Sequence, residues 1–428
     1  MTLTAGVEPL LAPYLGRQRW FAGEEPSGVE IVASEELEEG LLWLLADAGG
    51  AVYQVLVGTR GAEDQREFLH GHDVQVLGVV DGRVAFDALL DPDYARSVLA
   101  RVCPDHEGKL MRPMGAEQSN SSLVFDDTVV LKLFRRLHHG PNPDVEITTA
   151  LAAAGFAHVA EPFGLWRRDD LDLAVATRYL AGGSEGWALA QTSLRDLYAT
   201  NCEDPAQCGG DFAAEASRLG TMTASMHLAL AERFGTARGD HVAWAGGLEA
   251  QLSQLADGDF DPAPAKDFVE RLRAATDAGR AIRVHGDYHL GQVMRTDTGW
   301  FVLDFEGEPA RPLEERRLST SPMKDVGGML RSFHYAAQVA LTERDVIEHD
   351  DLLPHAVAWE RRNQGAFLAG YFGTPGIDAL LPEGPDQRDL VLAAFELDKA
   401  VYEVLYERAY RPDLVHIPLG AISRVLRG

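Results

Sequence analysis

The chain has 428 residues, 46% of them hydrophobic, with 39 lysines and arginines against 66 aspartates and glutamates and a net charge of −27. That length allows two or three domains with a large core, and the charge excludes nucleic acid or an anionic membrane as a partner of the surface at large. Three cysteines (Cys103, Cys202, Cys208) without disulfide or zinc spacing, no apolar run able to span a bilayer and no secretory pattern in the first residues all fit a cytoplasmic protein.

Residues 1–110 are rich in short strand signals, at 29–32, 41–45 and 52–57, with a hairpin predicted around Asp81-Gly82. A short helix leads into Arg17-Gln18-Arg19-Trp20-Phe21-Ala22-Gly23, where Trp20 and Phe21 read as packing residues. Residues 111–183 continue with a second hairpin around Asp126-Asp127, a helix near 144–154 and a strand at 173–179. The stretch Leu180-Ala181-Gly182-Gly183-Ser184 then reads as a hinge. From residue 184 the pattern turns helical. Leu219, Met222, Met226 and Leu230 recur at helical spacing within 212–234, and 326–341 and 389–409 are further amphipathic helices. Residues 257–264 read as a surface loop, and the only strands expected in this half flank the motif described next. The fold class expected is α+β and bilobal: an N-terminal cap at 1–110, a strand-rich lobe at 111–183 and a mostly helical lobe at 184–428. A nucleotide would bind between the two lobes.

The most informative stretch is His285-Gly286-Asp287-Tyr288-His289-Leu290-Gly291-Gln292, followed by Asp304-Phe305-Glu306. Residues 293–295 and 300–303 read as strands joined by the turn residues 296–299. Folding that hairpin sets Gln292 opposite Asp304, to within one register step. An amide and a carboxylate then face a third carboxyl group on the preceding loop. Phosphoryl transfer needs such a set: Asp287 to orient an attacking hydroxyl, and Gln292 and Asp304 to hold Mg²⁺ against ATP. His-x-Asp-x-His can also be read as a transition-metal cluster, but no second His/Asp cluster completes a two-metal site. His285 reads instead as a brace for the loop, and Asp325 as its anchor, with Gly327-Gly328 allowing a helix to pack closely.

Only five of the basic residues are lysines (Lys109, Lys132, Lys266, Lys324, Lys399). A lysine inside the apolar strand Val129-Val130-Leu131-Lys132-Leu133-Phe134 therefore calls for a specific role. It suits the α- and β-phosphates, held by a carboxylate of the following helix, for which Glu146 is the candidate; a snorkelling edge lysine is the plain alternative. Upstream, Glu117-Gln118-Ser119-Asn120-Ser121-Ser122 could approach phosphates through Ser119, Asn120 and Ser121, or be an ordinary polar turn. In the last long helix, Lys399, Tyr402, Glu403 and Tyr406 share a face. They offer the hydrogen bonds and apolar plate that a sugar needs, although a solvated amphipathic face would look the same.

Taken together, these motifs resemble the bacterial maltokinases, relatives of the aminoglycoside and protein kinases. The match runs over most of the chain and is strongest in Val284 to Gln292, which alone indicates only the broad kinase-like superfamily, and in Leu303-Asp304-Phe305-Glu306-Gly307-Glu308-Pro309 and Leu397-Asp398-Lys399-Ala400-Val401-Tyr402-Glu403, which narrow it. The resemblance implies ATP- and Mg²⁺-dependent phosphorylation of maltose at its anomeric hydroxyl, feeding α-glucan synthesis, with trehalose synthase as a partner. It also implies Asp287 as base, Gln292 and Asp304 at Mg²⁺, a phosphate-binding pair Lys132–Glu146, and sugar contacts from Glu306, Lys399, Tyr402, Glu403 and Tyr406. Leu414 stands where the family leads one to expect a tryptophan. An amino-sugar or aminoglycoside kinase of the same fold is the rival within this chemistry. A non-catalytic subunit that binds trehalose synthase is the rival outside it.

Overall fold

The computed structural model describes residues 3–21, 26, 28–61, 69–115, 119–200, 204–207, 210–256, 258–309, 311–344 and 349–427. Ala22, Gly23, Glu117, Gln118, Cys202, Cys208 and Asp257 lie outside that set. The chain forms two compact units, one of residues 1–149 and 160–181, the other of residues 150–159 and 182–428. The last of the three crossings, between Ala181 and Gly182, falls in the stretch read as a hinge, and Gly182 has φ +68°.

The first unit is built on two antiparallel sheets. Strands β1 (Glu30–Glu38), β2 (Leu41–Ala48), β3 (Ala51–Gly61), β4 (Val76–Val80) and β5 (Arg83–Asp87) make the first, in the order β1-β2-β3-β5-β4. Strands β6 (Met111–Pro113), β7 (Asn120–Phe125) and β8 (Val129–Phe134) join β10 (Pro162–Arg168) and β11 (Leu171–Arg178) in the second, in the order β10-β11-β8-β7-β6; the short β9 (Arg136–Leu137) pairs with β3. Both expected hairpins are present. The turns carry positive φ at both central residues, Asp81 and Gly82 in one, Asp126 and Asp127 in the other. Such turns match the right-handed twist of the strands they join. Strands β6 and β10 and the Pro92–Val102 helix were not anticipated.

A buried amide ties the sheets together. Gln54, on β3, donates to the carbonyl oxygens of Phe134 (2.8 Å) and Leu173 (2.9 Å) and accepts from the Trp43 indole (2.8 Å). Left unpaired in this core, that amide would cost a few kcal/mol. Leu131 and Leu133 are fully buried on one face of β8. Alternation sends Lys132 to the other, where its ammonium lies 5.7 Å from the Phe134 ring centroid.

The second unit is mostly helical. Ala213–Phe234 and His349–Phe372 pack closely because each brings a glycine to the contact. A Cβ on Gly220 would lie 2.0 Å from the Phe367 carbonyl oxygen, and one on Gly370 would lie 2.0 Å from that of Ser217. Of the stretch read as a surface loop, residues 262–264 are helical, because Asp261 caps a helix that begins at Pro262. Short strand pairs beyond the expected hairpin also occur, Ser184–Glu185 beside Val293–Thr296, and Ala237–Arg238 with Arg280–Ala281.

Candidate active site

The His285–Gln292 loop is held from below by one carboxylate. Asp325, fully buried near the start of the Met323–Thr342 helix, accepts the backbone N–H groups of His285 (2.8 Å) and Gly286 (2.9 Å) and the His227 ring N–H (3.0 Å). His227 is fixed in turn by the Tyr371 hydroxyl (2.8 Å). His285 donates Nε2–H to the Leu303 carbonyl (2.8 Å), while its Nδ1 accepts from the Asp287 N–H (3.3 Å). With both ring nitrogens spent inside the loop, His285 is no metal ligand. The helix can approach because Gly328 has no side chain: a Cβ there would lie 2.7 Å from the Tyr288 carbonyl oxygen.

The hairpin after the loop forms with Val293 opposite Val302 and Thr296 opposite Gly299. Gln292 extends this register against Leu303, one step from the pairing expected, and its carbonyl accepts the Leu303 N–H (2.9 Å). The side chains still meet, because Asp304 takes a left-handed conformation (φ +61°) and Gln292 Nε2 lies 3.3 Å from Asp304 Oδ2. Amide and carboxylate are hard oxygen donors suited to Mg²⁺, and rotating the amide presents its oxygen.

Asp287 is only partly exposed, and its main partner comes from far along the chain. Lys399 donates to Asp287 Oδ1 (2.8 Å) and to Glu308 Oε1 (3.0 Å). The other oxygen of Glu308 faces Lys324 (3.4 Å) and Arg311. Arg311 also reaches Asp398 (2.9 Å), which accepts from Gln251 (2.7 Å). Three carboxylates thus interleave with three cations. Burial raises the Asp287 carboxyl, but Lys399 and the His289 ring outweigh it and hold that group well below the usual carboxylate range. Glu308 is likewise raised by burial yet brought to about 2 by Lys399, Lys324 and Arg311. Burial works against the charge of Lys399, and the two carboxylates overcome it, so its pKa lies well above the ordinary lysine value. Behind Glu308 lies a cavity of about 550 Å³ lined in part by Trp244, Gln251, Arg311, Lys324 and Asp398.

The helix bearing Lys399, Pro385–Tyr410, also carries a line of aromatics. Lys399 sits 4.7 Å from the Tyr402 ring centroid, Tyr402 and Tyr406 stack at 6.4 Å, and Tyr410 lies 4.7 Å beyond Tyr406. Tyr410 is 70% exposed. Glu403 pairs with Arg331. Glu306 is half-buried, and its carbonyl accepts from Arg316 (2.9 Å).

In the first unit Lys132 is paired with Asp144 (3.0 Å), a carboxylate that the sequence reading did not name. Asp144 lies in the first turn of the Pro143–Ala153 helix, as does Glu146, and its N–H is capped by the Asn142 side chain (2.8 Å). Ser119 and Asn120 hydrogen-bond to each other (3.1 Å), and the Ser121 hydroxyl accepts from Arg135 (2.8 Å). Glu308 and Arg311 were missed altogether. The scarcity of lysine pointed to them, since two of the five lysines, Lys324 and Lys399, converge on Glu308.

Two family models match the chain, the phosphotransferase enzyme family over residues 111–341 and the maltokinase N-terminal cap domain over residues 14–91. The chain belongs to the phosphotransferase enzyme family and is a maltokinase-like member of it, with a cap, a strand-rich region and a helical region. A glucosamine kinase of Streptacidiphilus jiangxiensis is 29% identical over 334 residues, covering 72% of each chain. One of Mycolicibacterium smegmatis is 28% identical over 336 residues, 74% of this chain and 79% of the other. A glucosamine kinase structure (crystal form B) aligns over 100% of both chains with a TM-score of 0.72 at 23% identity. A glucosamine kinase bound to glucosamine, ADP and inorganic phosphate gives 0.65 at 24%, over 97% of this chain and 98% of that one. These structures share the kinase-like fold. Among the described residues, no helix is long and apolar enough to cross a membrane.

Proposed function

We propose that this phosphotransferase moves the γ-phosphoryl group of ATP to a sugar hydroxyl, and that the sugar is maltose, phosphorylated at its anomeric position. The observation that carries this reading is the fixed Asp287 loop with Lys399 against it. From Lys399 the Tyr402, Tyr406 and Tyr410 rings run outward along one helix. Aromatic faces suit the C–H faces of sugar rings, and a line of three supports an acceptor longer than one ring.

In this reading the acceptor hydroxyl donates to Asp287 while its oxygen bonds to the γ-phosphorus. The bond from that phosphorus to the β-phosphate bridging oxygen breaks, ADP leaves, and the hydroxyl proton passes to Asp287. Lys132, kept charged and placed by Asp144, binds the α- and β-phosphates, with Ser119, Asn120 and Ser121 as the phosphate loop. Gln292 and Asp304 would hold Mg²⁺, which when bound would neutralise phosphate charge. Lys399, Tyr402, Glu403, Tyr406 and Glu306 contact the sugar. An ATP-dependent reaction and a buried free thiol at Cys103 fit the cytoplasm, and a maltose-producing partner such as trehalose synthase would supply the acceptor.

A second reading, an amino-sugar kinase, draws on two observations: the relatives named as glucosamine kinases and the carboxylates Asp287, Glu308 and Glu403 grouped around Lys399. Incubation with ATP, Mg²⁺ and either maltose or glucosamine, with the product identified by phosphorus NMR and mass spectrometry, separates the two. Maltose 1-phosphate as the favoured product supports the first reading. Preferential transfer to glucosamine replaces it with the second, and phosphate on neither sugar rejects both.

A further inference from the structure

We propose that Glu308 is a positioning residue for phosphoryl transfer, holding the Lys399 ammonium beside Asp287 in an arrangement that leaves the base open to the acceptor hydroxyl. This rests on the reading of Asp287 as the group that receives that hydroxyl's proton.

A lysine ammonium has three N–H donors. One goes to Asp287 Oδ1 and one to Glu308 Oε1, which leaves the third for an acceptor oxygen. The second oxygen of Asp287 has no hydrogen bond among the described residues; the ring nitrogen His289 Nε2 lies 3.9 Å from it. The arrangement therefore presents one open carboxylate oxygen and one open ammonium hydrogen side by side. A hydroxyl group needs both, one to take its hydrogen and one to steady its oxygen.

Without Glu308, Asp287 would be the only carboxylate hydrogen-bonded to this ammonium. A one-to-one pair in a low-dielectric site closes up, because nothing competes for the cation. The lysine would then sit across the carboxylate and compete with the acceptor for it. Glu308 prevents this by dividing the ammonium between two anions. It can do so only if it stays in place itself, and its outer oxygen is held by Arg311 and Lys324. Arg311 is tied through Asp398 to Gln251 on the His241–Leu252 helix. The bracket thus reaches, through Asp398, a helix that carries no part of the proposed reaction. Glu308 is 1% exposed and is not placed to touch the acceptor directly; its effect passes through Lys399.

The test compares Glu308→Gln and Glu308→Asp with the unaltered full-length protein, using ATP, Mg²⁺ and whichever sugar that protein phosphorylates. Glu308→Gln is expected to lower kcat by about 10- to 100-fold, a range ordinary for loss of one charged group that orders a proton-transfer site. The KM for ATP should stay unchanged. Glu308→Asp keeps the charge and should recover part of kcat even if its melting temperature falls as far. Should Glu308→Gln fail to fold, Lys324→Met loosens the outer oxygen of Glu308 and should show a smaller fall in kcat at constant ATP KM. A normal kcat with a raised sugar KM in Glu308→Gln would overturn the proposal. So would losses in the variants that simply follow their melting temperatures. If the unaltered protein transfers phosphate to no sugar, the failure lies with the functional reading.

Discussion

Exchanging Asp325 for asparagine replaces one carboxylate oxygen by NH₂ and removes the negative charge while keeping the side chain's shape. The carboxylate accepts three buried N–H groups: Oδ2 takes those of His285 and His227, and Oδ1 takes that of Gly286. An asparagine has one acceptor oxygen. With the oxygen at the Oδ2 position, its NH₂ faces the Gly286 N–H. With the oxygen at the Oδ1 position, the NH₂ faces the His285 N–H, while His227 could adapt by moving its ring proton to Nδ1 and accepting at Nε2. Either way one buried backbone N–H of the His285–Gln292 loop loses its acceptor and meets a donor, at a cost of about 1–3 kcal/mol. For a unit of this size that corresponds to a fall in melting temperature of roughly 2–4 °C per kcal/mol. The larger effect should be kinetic, because the displaced N–H lies one or two residues from Asp287. A shift of about 1 Å in a reacting group costs on the order of 10²-fold in rate. A coupled assay of ADP release with saturating sugar, run beside scanning calorimetry at the same pH, measures both. A variant with a lowered melting temperature and unchanged kcat would show that Asp325 supports the fold but not the loop geometry, and the anchoring argument would fail.

Asp144→Asn should raise the KM for ATP by about 10-fold or more, since a charged hydrogen bond is worth about 1.5–3 kcal/mol, whereas Glu146→Gln should do so much less; equal effects would restore the pairing read from sequence. Tyr406→Ala should raise the KM for maltose by roughly 2- to 10-fold, from the loss of about 0.5–1.5 kcal/mol of ring contact, and leave glucose or glucosamine unaffected; an equal change for one-ring and two-ring sugars would remove the aromatic line from the acceptor site. Glu396 has its carboxyl raised by burial to about 7 from an ordinary 4.5, so the folded protein binds that proton more tightly than the unfolded chain. Its ionisation therefore weakens folding progressively as the pH climbs from about 4.5 to 7, and the loss is complete above that. Glu396→Gln should accordingly gain up to about 3 kcal/mol of stability at pH 8 and nothing at pH 4, read from the two melting temperatures; a gain that is equal at both pH values would rule out the titration.

What could be read from the sequence was what is decided within a few residues. Asp81-Gly82 and Asp126-Asp127 each mark a turn because both central residues tolerate positive φ, and the strands on either side then pair without further information. Gln292 and Asp304 come together through another local turn, at Asp297-Thr298, although neither of its central residues takes positive φ. The choice between Asp144 and Glu146 could not be made that way. Both are acidic, both lie in the first turn of the same helix, and which of them meets Lys132 depends on how that helix is rotated over the sheet. That rotation is fixed by packing between segments distant in the chain, and the helix sequence, Pro-Asp-Val-Glu-Ile-Thr-Thr-Ala-Leu-Ala-Ala, has no strong apolar stripe to announce it.

The acidic and basic residues around Asp287 show the same limit from the other side. Glu308 is adjacent in sequence to the Asp304 motif, yet the residue that explains it lies 91 positions later in Lys399. Local pattern assigned Lys399 to a sugar-binding face because it shares helical spacing with Tyr402 and Tyr406, and the stacked rings do lie on that helix. The structure adds that the ammonium is already engaged, and with Asp287, the carboxylate proposed as the base. A sugar that reaches Lys399 must therefore also change the surroundings of Asp287. Recognition of the acceptor and readiness of the base then depend on one ammonium group. Lys399→Met should consequently alter both sugar KM and kcat, whereas Tyr406→Ala, further along the helix, should alter KM alone. Steady-state kinetics of those two variants with one sugar would distinguish a coupled site from a sugar-binding face and a base that act independently; a change confined to KM in both would establish the latter.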